Sequence, residues 1–491
     1  KLENEVTILN DEEKKQLMGQ ALFWRAWDYF DKVNTVGGVP LILEVQNIAD
    51  VPSLFVSRNS TSECITQILK DLDDAISYLP DSYDDKGYGR IDKGAAMAFK
   101  GRVLMFYASP MFNPNNDASR WETAYKANKT ALDYLTAQGK GLYKGNFADI
   151  WYDEQNCEAI MVNQFYYPDH AFDQKNIRPE PLTRDGANDN QAILSLLMAF
   201  PKADGTKLEL DVTRLSDPAY NQQFMTEFYT NRDPRFHATI FCPGTIYPCT
   251  NVQLEGGQKY WNAWYEQEVD GKTQMNSLVD FQTGTSIGGG MSGYFQKKGL
   301  DESLNNASVY QAETDWIEIR FAEVLMNYGE CANEIGKTQE ALNVLYQIRE
   351  RAGIENTTGN YGITATTQSD IREAYVNERF VEFAYEGKRW NDLRRWKRFD
   401  ILNNLKHRST LYAVINDKAD AEGFDFTKDM FDPEVRKMFH FVYIENVDKD
   451  DLYTFNLDEK YLFYPIHKEA LDRNSKLEQN DAWGGTFDPL K

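Results

Sequence analysis

Apolar residues recur every three or four positions in four neighbouring pairs of segments, 12–34 with 62–78, 93–109 with 121–137, 316–334 with 338–351, and 370–385 with 389–402. A helix with one apolar stripe finds cover for only part of it in its hairpin partner, so the four pairs must stack on one another to bury the rest. In the third pair Ala322, Gly329 and Ala332, followed by Gly336 and Ala341, put small residues where two helices have to approach closely. That spacing is tetratricopeptide-like, with a repeat of about 34 residues.

Between about 147 and 299 the helical period persists only at 191–200 and 219–230, among short apolar runs, Pro, Gly and Asn. The stretch 242–290 has no repeat or periodicity. Loops of that length are functional or disordered, and Tyr247, Tyr260, Trp261, Trp264 and Tyr265 argue against disorder. The expected fold is mainly α. Tetratricopeptide-like pairs occupy 1–145 and 301–405, an irregular ligand-facing insertion with short strands occupies 146–300, and a wrapping segment covers 406–491.

A net charge of −23 without a basic stripe excludes nucleic acid, whose binders must neutralise phosphates with clustered Lys and Arg. No run of eighteen apolar residues exists to span a membrane, and no hydrophobic signal segment stands at Lys1. Cys64, Cys157, Cys242, Cys249 and Cys331 are too scattered for a disulfide framework, with Cys242 and Cys249 the pair close enough to join locally. His170, His237, His407, His440 and His467 are dispersed, which argues against zinc, and no cofactor is expected. The acidic triplets Asp448, Asp450, Asp451 and Asp81, Asp84, Asp85 offer oxygens to a structural calcium ion, but they lack the glycine an EF-hand needs and read as solvated loops. Segments 284–288 and 288–293 spell a nucleophile elbow and a dinucleotide loop, each without the strand before and helix after that such motifs require. They read as a glycine hinge. Among 76 acidic residues nothing singles out a glycosidase pair, so no enzyme is expected.

Segment 377–396, NERFVEFAYEGKRWNDLRRW, is the densest in charge and aromatic character. Phe380, Phe383 and Ala384 form one apolar face, resumed by Trp390 and Leu393 beyond Gly387. Glu382 and Glu386 are expected to pair with Arg389 along the helix or across the turn at Gly387. Adjacent guanidinium groups would hold these carboxylates ionised, which suits a structural lattice and not a general acid.

Through Arg379, Glu382, Glu386, Arg389 and Trp390 this segment resembles the signature of the SusD/RagB family of outer-membrane nutrient-binding lipoproteins. Four other stretches resemble that family in order: 22–40, a helix ending in a Gly-Gly-x-Pro turn; 89–109, a small-residue helix; 319–353, a helical pair; and 461–483, a closing segment. Segments 232–240 and 292–298 are similar to its short strands. Family members carry a lipoprotein signal, a lipidated cysteine and a first helical segment before the 22–40 helix. This sequence reaches Arg25 almost at once, so it reads as truncated or processed, and membrane attachment would come only through an N-terminal lipid anchor not present in this sequence.

The resemblance implies a SusD-like fold, a place on the cell-surface side of the outer membrane, and capture of a nutrient oligomer, most often a glycan. It implies a hinged lid on a SusC-like TonB-dependent transporter. Sugar rings show apolar faces ringed by hydroxyls, so a binder needs aromatic platforms with a few polar groups beside them. Tyr260, Trp261, Trp264 and Tyr265, with Asn262, Gln258 and Glu266 alongside, are the first candidates; Tyr166 and Tyr167 in 166–178 are the second. A peptide would use the same rings and add open backbone groups. A glycan hydrolase is the remaining alternative.

Overall fold

The computed structural model describes residues 8–177, 190–245, 263–278, 292–304, 307–357, 359–421, 424–425, 428–448 and 453–491. Helices α1 (Asp11–Val36) and α2 (Thr61–Tyr78) each open with a capping box, Asn10 with Glu13 and Ser60 with Glu63, and pack along each other. Helix α3 (Lys93–Ala108) is buried on nearly all sides between α2 and α4 (Ala118–Ala137). Small residues permit this: a Cβ on Gly101 would lie 2.4 Å from the Asn128 Oδ1.

The middle segment begins with β1 (Ala159–Asn163), then α5 (Leu194–Ala199) and α6 (Pro218–Thr230). The expected strand at 232–240 is mostly a helix, α7 (Pro234–Thr239), because Asp233 caps it and Pro234 stands at its first position; only β2 (Ile240–Phe241) is extended. A hairpin of β3 (Trp264–Val269) and β4 (Lys272–Ser277) follows, closed by Asp270 and Gly271 at φ 51° and 73°. Positive φ at both turn residues is the tight-hairpin conformation that Asp-Gly favours. Strand β5 (Phe295–Gln296) pairs with β2.

Residues 316–320, expected to begin a helix, form β6 (Trp316–Arg320), antiparallel to β1 with Val162 opposite Ile317. Ile317 and Ile319 alternate inward, and β-branched side chains at that period favour a pleated edge over a helical turn. Helix α8 (Phe321–Glu334) starts at once and packs on α4 and on α9 (Thr338–Arg351). Gly329 lets α10 (Gln368–Glu382) close in, since a Cβ there would meet the Tyr375 hydroxyl at 1.9 Å. Helix α11 (Arg389–Arg395) is shorter than the expected 389–402: Lys397 turns left-handed at φ 58°, and the Arg398 N–H returns to the Leu393 carbonyl at 2.8 Å.

The closing segment contributes β7 (Thr410–Ile415) and β8 (Phe439–Ile444). They join the middle hairpin in one sheet of order β4-β3-β7-β8, with Trp264 beside Val414 in a parallel pairing. Two large cores result. One lies among α1–α4 and α8–α10, and the other unites α6, β2, β3, β5, β7 and β8. Segment 377–396 lies between them, with Phe383 in the first and Val381 and Ala384 in the second.

Candidate functional site

Beneath the surface, the charges of 377–396 meet partners far away in the sequence. Arg320 reaches Glu158 at 2.6 Å, Glu382 at 2.6 Å and Glu386 at 2.8 Å, while Arg235 reaches Glu382, Asp233 and Glu378 at 2.7 Å each. Arg351 bonds Glu158 and Glu382, Arg349 bonds Glu378, and Lys298 bonds Glu386. The five cations, Arg235, Lys298, Arg320, Arg349 and Arg351, face five carboxylates, Glu158, Asp233, Glu378, Glu382 and Glu386, so the buried cluster is neutral. A neighbouring group joins Arg379 to Asp392 and Arg395 to Asp392 and Glu330.

The local pairing expected between Glu382, Glu386 and Arg389 does not form. Both carboxylates turn inward to the distant cations, while Arg389 stacks on the Phe380 ring at 3.9 Å and donates to the Val376 carbonyl. Trp390 lies flat on Phe399 and donates from Nε1 to the Tyr464 hydroxyl at 3.1 Å. Burial alone would raise the Glu382 carboxyl, but Arg351, Arg320 and Arg235 outweigh it and hold the group well below the usual range. A carboxylate so held cannot donate a proton near neutral pH.

The lattice anchors one end of an exposed feature, since Glu158 immediately precedes β1. Past β1 the chain runs back along 309–315: Phe165 N–H donates to Asp315 at 2.9 Å, Tyr167 N–H to Glu313 at 3.0 Å, and Phe172 N–H to the Ala312 carbonyl at 2.8 Å. The fully buried Gln174 accepts from Asp301 N–H at 3.0 Å and donates to the Gly299 carbonyl. Phe165 stacks between His170 and Phe172 at 4.6 and 5.0 Å, making a stiff base. On that base Tyr166 and Tyr167 stand 54% and 50% exposed, with Tyr310 at 47% nearby on the neighbouring segment. The Tyr166 hydroxyl is fixed by Asp169, the peptide between Tyr167 and Pro168 is cis, and Lys175 lies 6.0 Å from the Tyr310 ring.

This ledge combines flat apolar faces with a carboxylate, an imidazole and an ammonium group. It can stack on rings and bond their rims. The second sequence candidates, Tyr166 and Tyr167, thus lie on open surface, whereas Tyr310 belongs to a stretch without a pattern that would have marked it.

The first candidates fare differently. Trp264 and Tyr265 are buried on β3, Trp264 stacked on Tyr412 at 3.9 Å and Tyr265 within the second core. Neighbouring strand residues point to opposite faces, and here both faces are covered, so neither ring is free as a platform. Gly293 completes the cover at φ 86°, where a Cβ would lie 2.2 Å from the Trp264 ring. Tyr260, Trp261 and Asn262 lie outside the described residues, as do Asp450, Asp451 and Cys249. Cys242 is a free buried thiol. Asp448 is held by Arg408, and Asp81 by Lys93 and Tyr134. Among the described residues no group of three or more His, Cys, Asp or Glu gathers around a metal-sized space.

A second exposed feature lies in the α1–α2 connection. Ile42, Leu43, Val45, Ile48 and Val51 all face solvent, Val45 fully and Ile48 to 84%. Among the described residues no helix is long and apolar enough to cross a membrane.

Helical hairpins stacked on one another, tied by a buried ion-pair lattice and carrying exposed aromatic rings beyond β1, define a repeat-built scaffold. Residues 149–483 match the family model described as the SusD family, and residues 1–105 match a model described as "Starch-binding associating with outer membrane". The chain belongs to the SusD family. It is 22% identical over 394 residues to SusD-like protein P38 of Formosa agariphila, a match covering 77% of this chain and 66% of that relative, so the chain spans about two thirds of the relative's length. The crystal structure of a SusD-like protein from Bacteroides fragilis superposes with a TM-score of 0.71 at 25% identity, covering 96% of this chain and 81% of that one. A SusD-like carbohydrate binding protein from the same organism gives 0.69 at 22%, covering 97% and 82%.

Proposed function

We propose that this chain captures an oligosaccharide on the Tyr166–Tyr167–Tyr310 ledge and presents it, as a lid at the cell-surface side of the outer membrane, to a SusC-like TonB-dependent transporter. The ledge carries the reading: three half-exposed rings on a base too well pinned to collapse. The description of one structural neighbour as carbohydrate binding and the outer-membrane wording of the N-terminal family model support it. The role is capture without covalent chemistry, with binding energy summed over several weak stacking and hydrogen-bonding contacts. The exposed side chains of Ile42, Leu43, Val45, Ile48 and Val51, gathered in one connection, support a macromolecular partner, because clustered exposed apolar side chains mark interaction sites.

The test is calorimetric screening of oligosaccharides and of short peptides against one purified sample. An oligosaccharide binds, and Tyr166→Ala and Tyr167→Ala each weaken it by roughly tenfold, the equivalent of about 1.4 kcal/mol, without lowering the melting temperature. Binding of peptides alone, or full glycan affinity in both variants, overturns the reading. Release of reducing sugar from any glycan would favour a hydrolase.

A further inference from the structure

Strand β1 leads from the ledge down into a cleft of about 300 Å³ between the turn at 81–92, the start of α3 and the end of α4. Tyr83 and Tyr134 form its aromatic walls, and Ile160 and Val162 of β1 line one side. Part of its polar lining is already engaged. Asp81 accepts from Lys93 at 2.7 Å and from the Tyr134 hydroxyl at 2.8 Å, and Arg90 lies 5.6 Å from the Tyr83 ring.

Besides the buried Tyr88 hydroxyl, which has no hydrogen-bond partner among the described residues, two charged groups keep bonding capacity. Asp92 uses Oδ1 to accept from the Ala95 N–H at 2.8 Å, capping α3, and a carboxylate has further lone pairs to offer. Lys140 donates to the Ala159 carbonyl at 2.7 Å and has two more N–H groups. Burial raises the Asp92 carboxyl and lowers the Lys140 ammonium, and the two groups feel each other's charge. They stand in one cleft without closing into an ion pair.

A hydroxyl both donates and accepts, so neighbouring hydroxyls on one ring can give a proton to a carboxylate and take one from an ammonium group. With Asp81 paired with Lys93 and Arg90 turned to the Tyr83 ring, Asp92 and Lys140 present an acid and a base side by side, a pair suited to the hydroxyls of a polyol. We propose that the cleft is a second sugar subsite, where Asp92 and Lys140 bind adjacent hydroxyls of one neutral pyranose ring lying against Tyr83 and Tyr134.

The wall of the cleft touches the base of the ledge. Gly89, at φ 84°, lies so close to Gln164 that a Cβ would sit 2.6 Å from its Oε1, and the Gln164 carbonyl bonds His170 of the ledge. From Ile160 to Tyr166 an extended chain covers at most about 20 Å at roughly 3.3 Å per residue, a separation that an oligomer of several rings would bridge with one end in the cleft. The inference rests on the oligosaccharide reading above and adds a terminal subsite and a length preference to it.

Calorimetry with malto-, cello-, manno- and xylo-oligosaccharides of one to eight rings tests it. In the series that binds, affinity rises with length. Asp92→Asn, which keeps a capping side chain, and Lys140→Met, which keeps the stem, leave the short oligomers unchanged and cost the longest about tenfold or more. Tyr83→Ala gives the same selective loss without touching the helix cap, whereas Tyr166→Ala weakens every length. Retention of the full length dependence in Asp92→Asn, Lys140→Met and Tyr83→Ala overturns the subsite while leaving the ledge intact. Absence of binding by every oligomer to the unmodified protein overturns the capture reading itself, and the subsite with it.

Discussion

Replacing Arg320 with Met tests whether the charges around 377–396 are scaffold. Arg320 is 1% exposed, and its guanidinium serves Glu158, Glu382 and Glu386 together. Methionine fills similar space without the charge. The three carboxylates retain Arg351, Arg235 and Lys298, so the variant does not strand a bare anion but leaves the balanced cluster one negative charge in excess. Removing one partner from a buried ion pair costs about 3–5 kcal/mol, because the remaining charge stays desolvated. With an unfolding entropy of roughly 2.1 cal/mol/K per residue, a chain of 491 residues melting as one unit loses about 3–5 °C. Scanning calorimetry at neutral pH measures this directly. Arg398→Met is the control, since Arg398 pairs with Glu373 and Asp400 at the surface, where such pairs contribute about 0–1 kcal/mol. A shift for Arg320→Met below 1 °C, or no larger than that of Arg398→Met, would show that the lattice is not what ties the two cores together.

The same lattice gives an acid limit. Burial would raise Glu382 and Glu386, yet the cations around them depress both, and in a separate buried group Glu323, which Arg102 reaches at 2.6 Å, is brought down to about 2 by Arg102 and Lys388. Folded values below the unfolded ones mean that this stabilisation is complete above about pH 4.3 and is lost as pH falls towards 2, so the melting temperature should drop across that window; a flat profile from pH 7 to pH 3 refutes it. Trp264→Ala should destabilise by about 3–5 kcal/mol while leaving glycan affinity at low temperature unchanged, whereas an unaltered melt would return Trp264 to the list of free platforms. Val45→Asp with Ile48→Asp should keep the melting temperature within 1 °C and abolish co-purification with a co-expressed SusC-like transporter; co-purification at the original yield removes these side chains from the partner interface.

The helical scaffold was legible because each element declares itself through contacts three and four residues apart, and Gly329 marks a close approach without reference to the rest of the chain. The boundaries that failed were those where a nearby device overrode the period: Pro234 behind the Asp233 cap, Ile317 and Ile319 at a strand spacing, Lys397 in a left-handed turn. Two signals were present and went unread. Asp270 with Gly271 is a hairpin turn, and TLYAVI and FHFVYI at 410–415 and 439–444 are strands by composition, yet neither reveals that they share a sheet. Partner choice was the harder matter. Glu382 has Arg389 seven positions away and takes Arg235 and Arg320 instead: Arg389 is satisfied by the Phe380 ring and the Val376 carbonyl, while the fully buried Arg235 and Arg320 must find a carboxylate or remain desolvated alone. The same reasoning governs the rings. Trp264 and Tyr166 both stand in aromatic-rich stretches, and only the burial of both faces of β3 separates a core residue from a platform. Charged and aromatic density in a sequence therefore locates the residues that must be satisfied, and the fold decides whether another part of the chain or a ligand satisfies them.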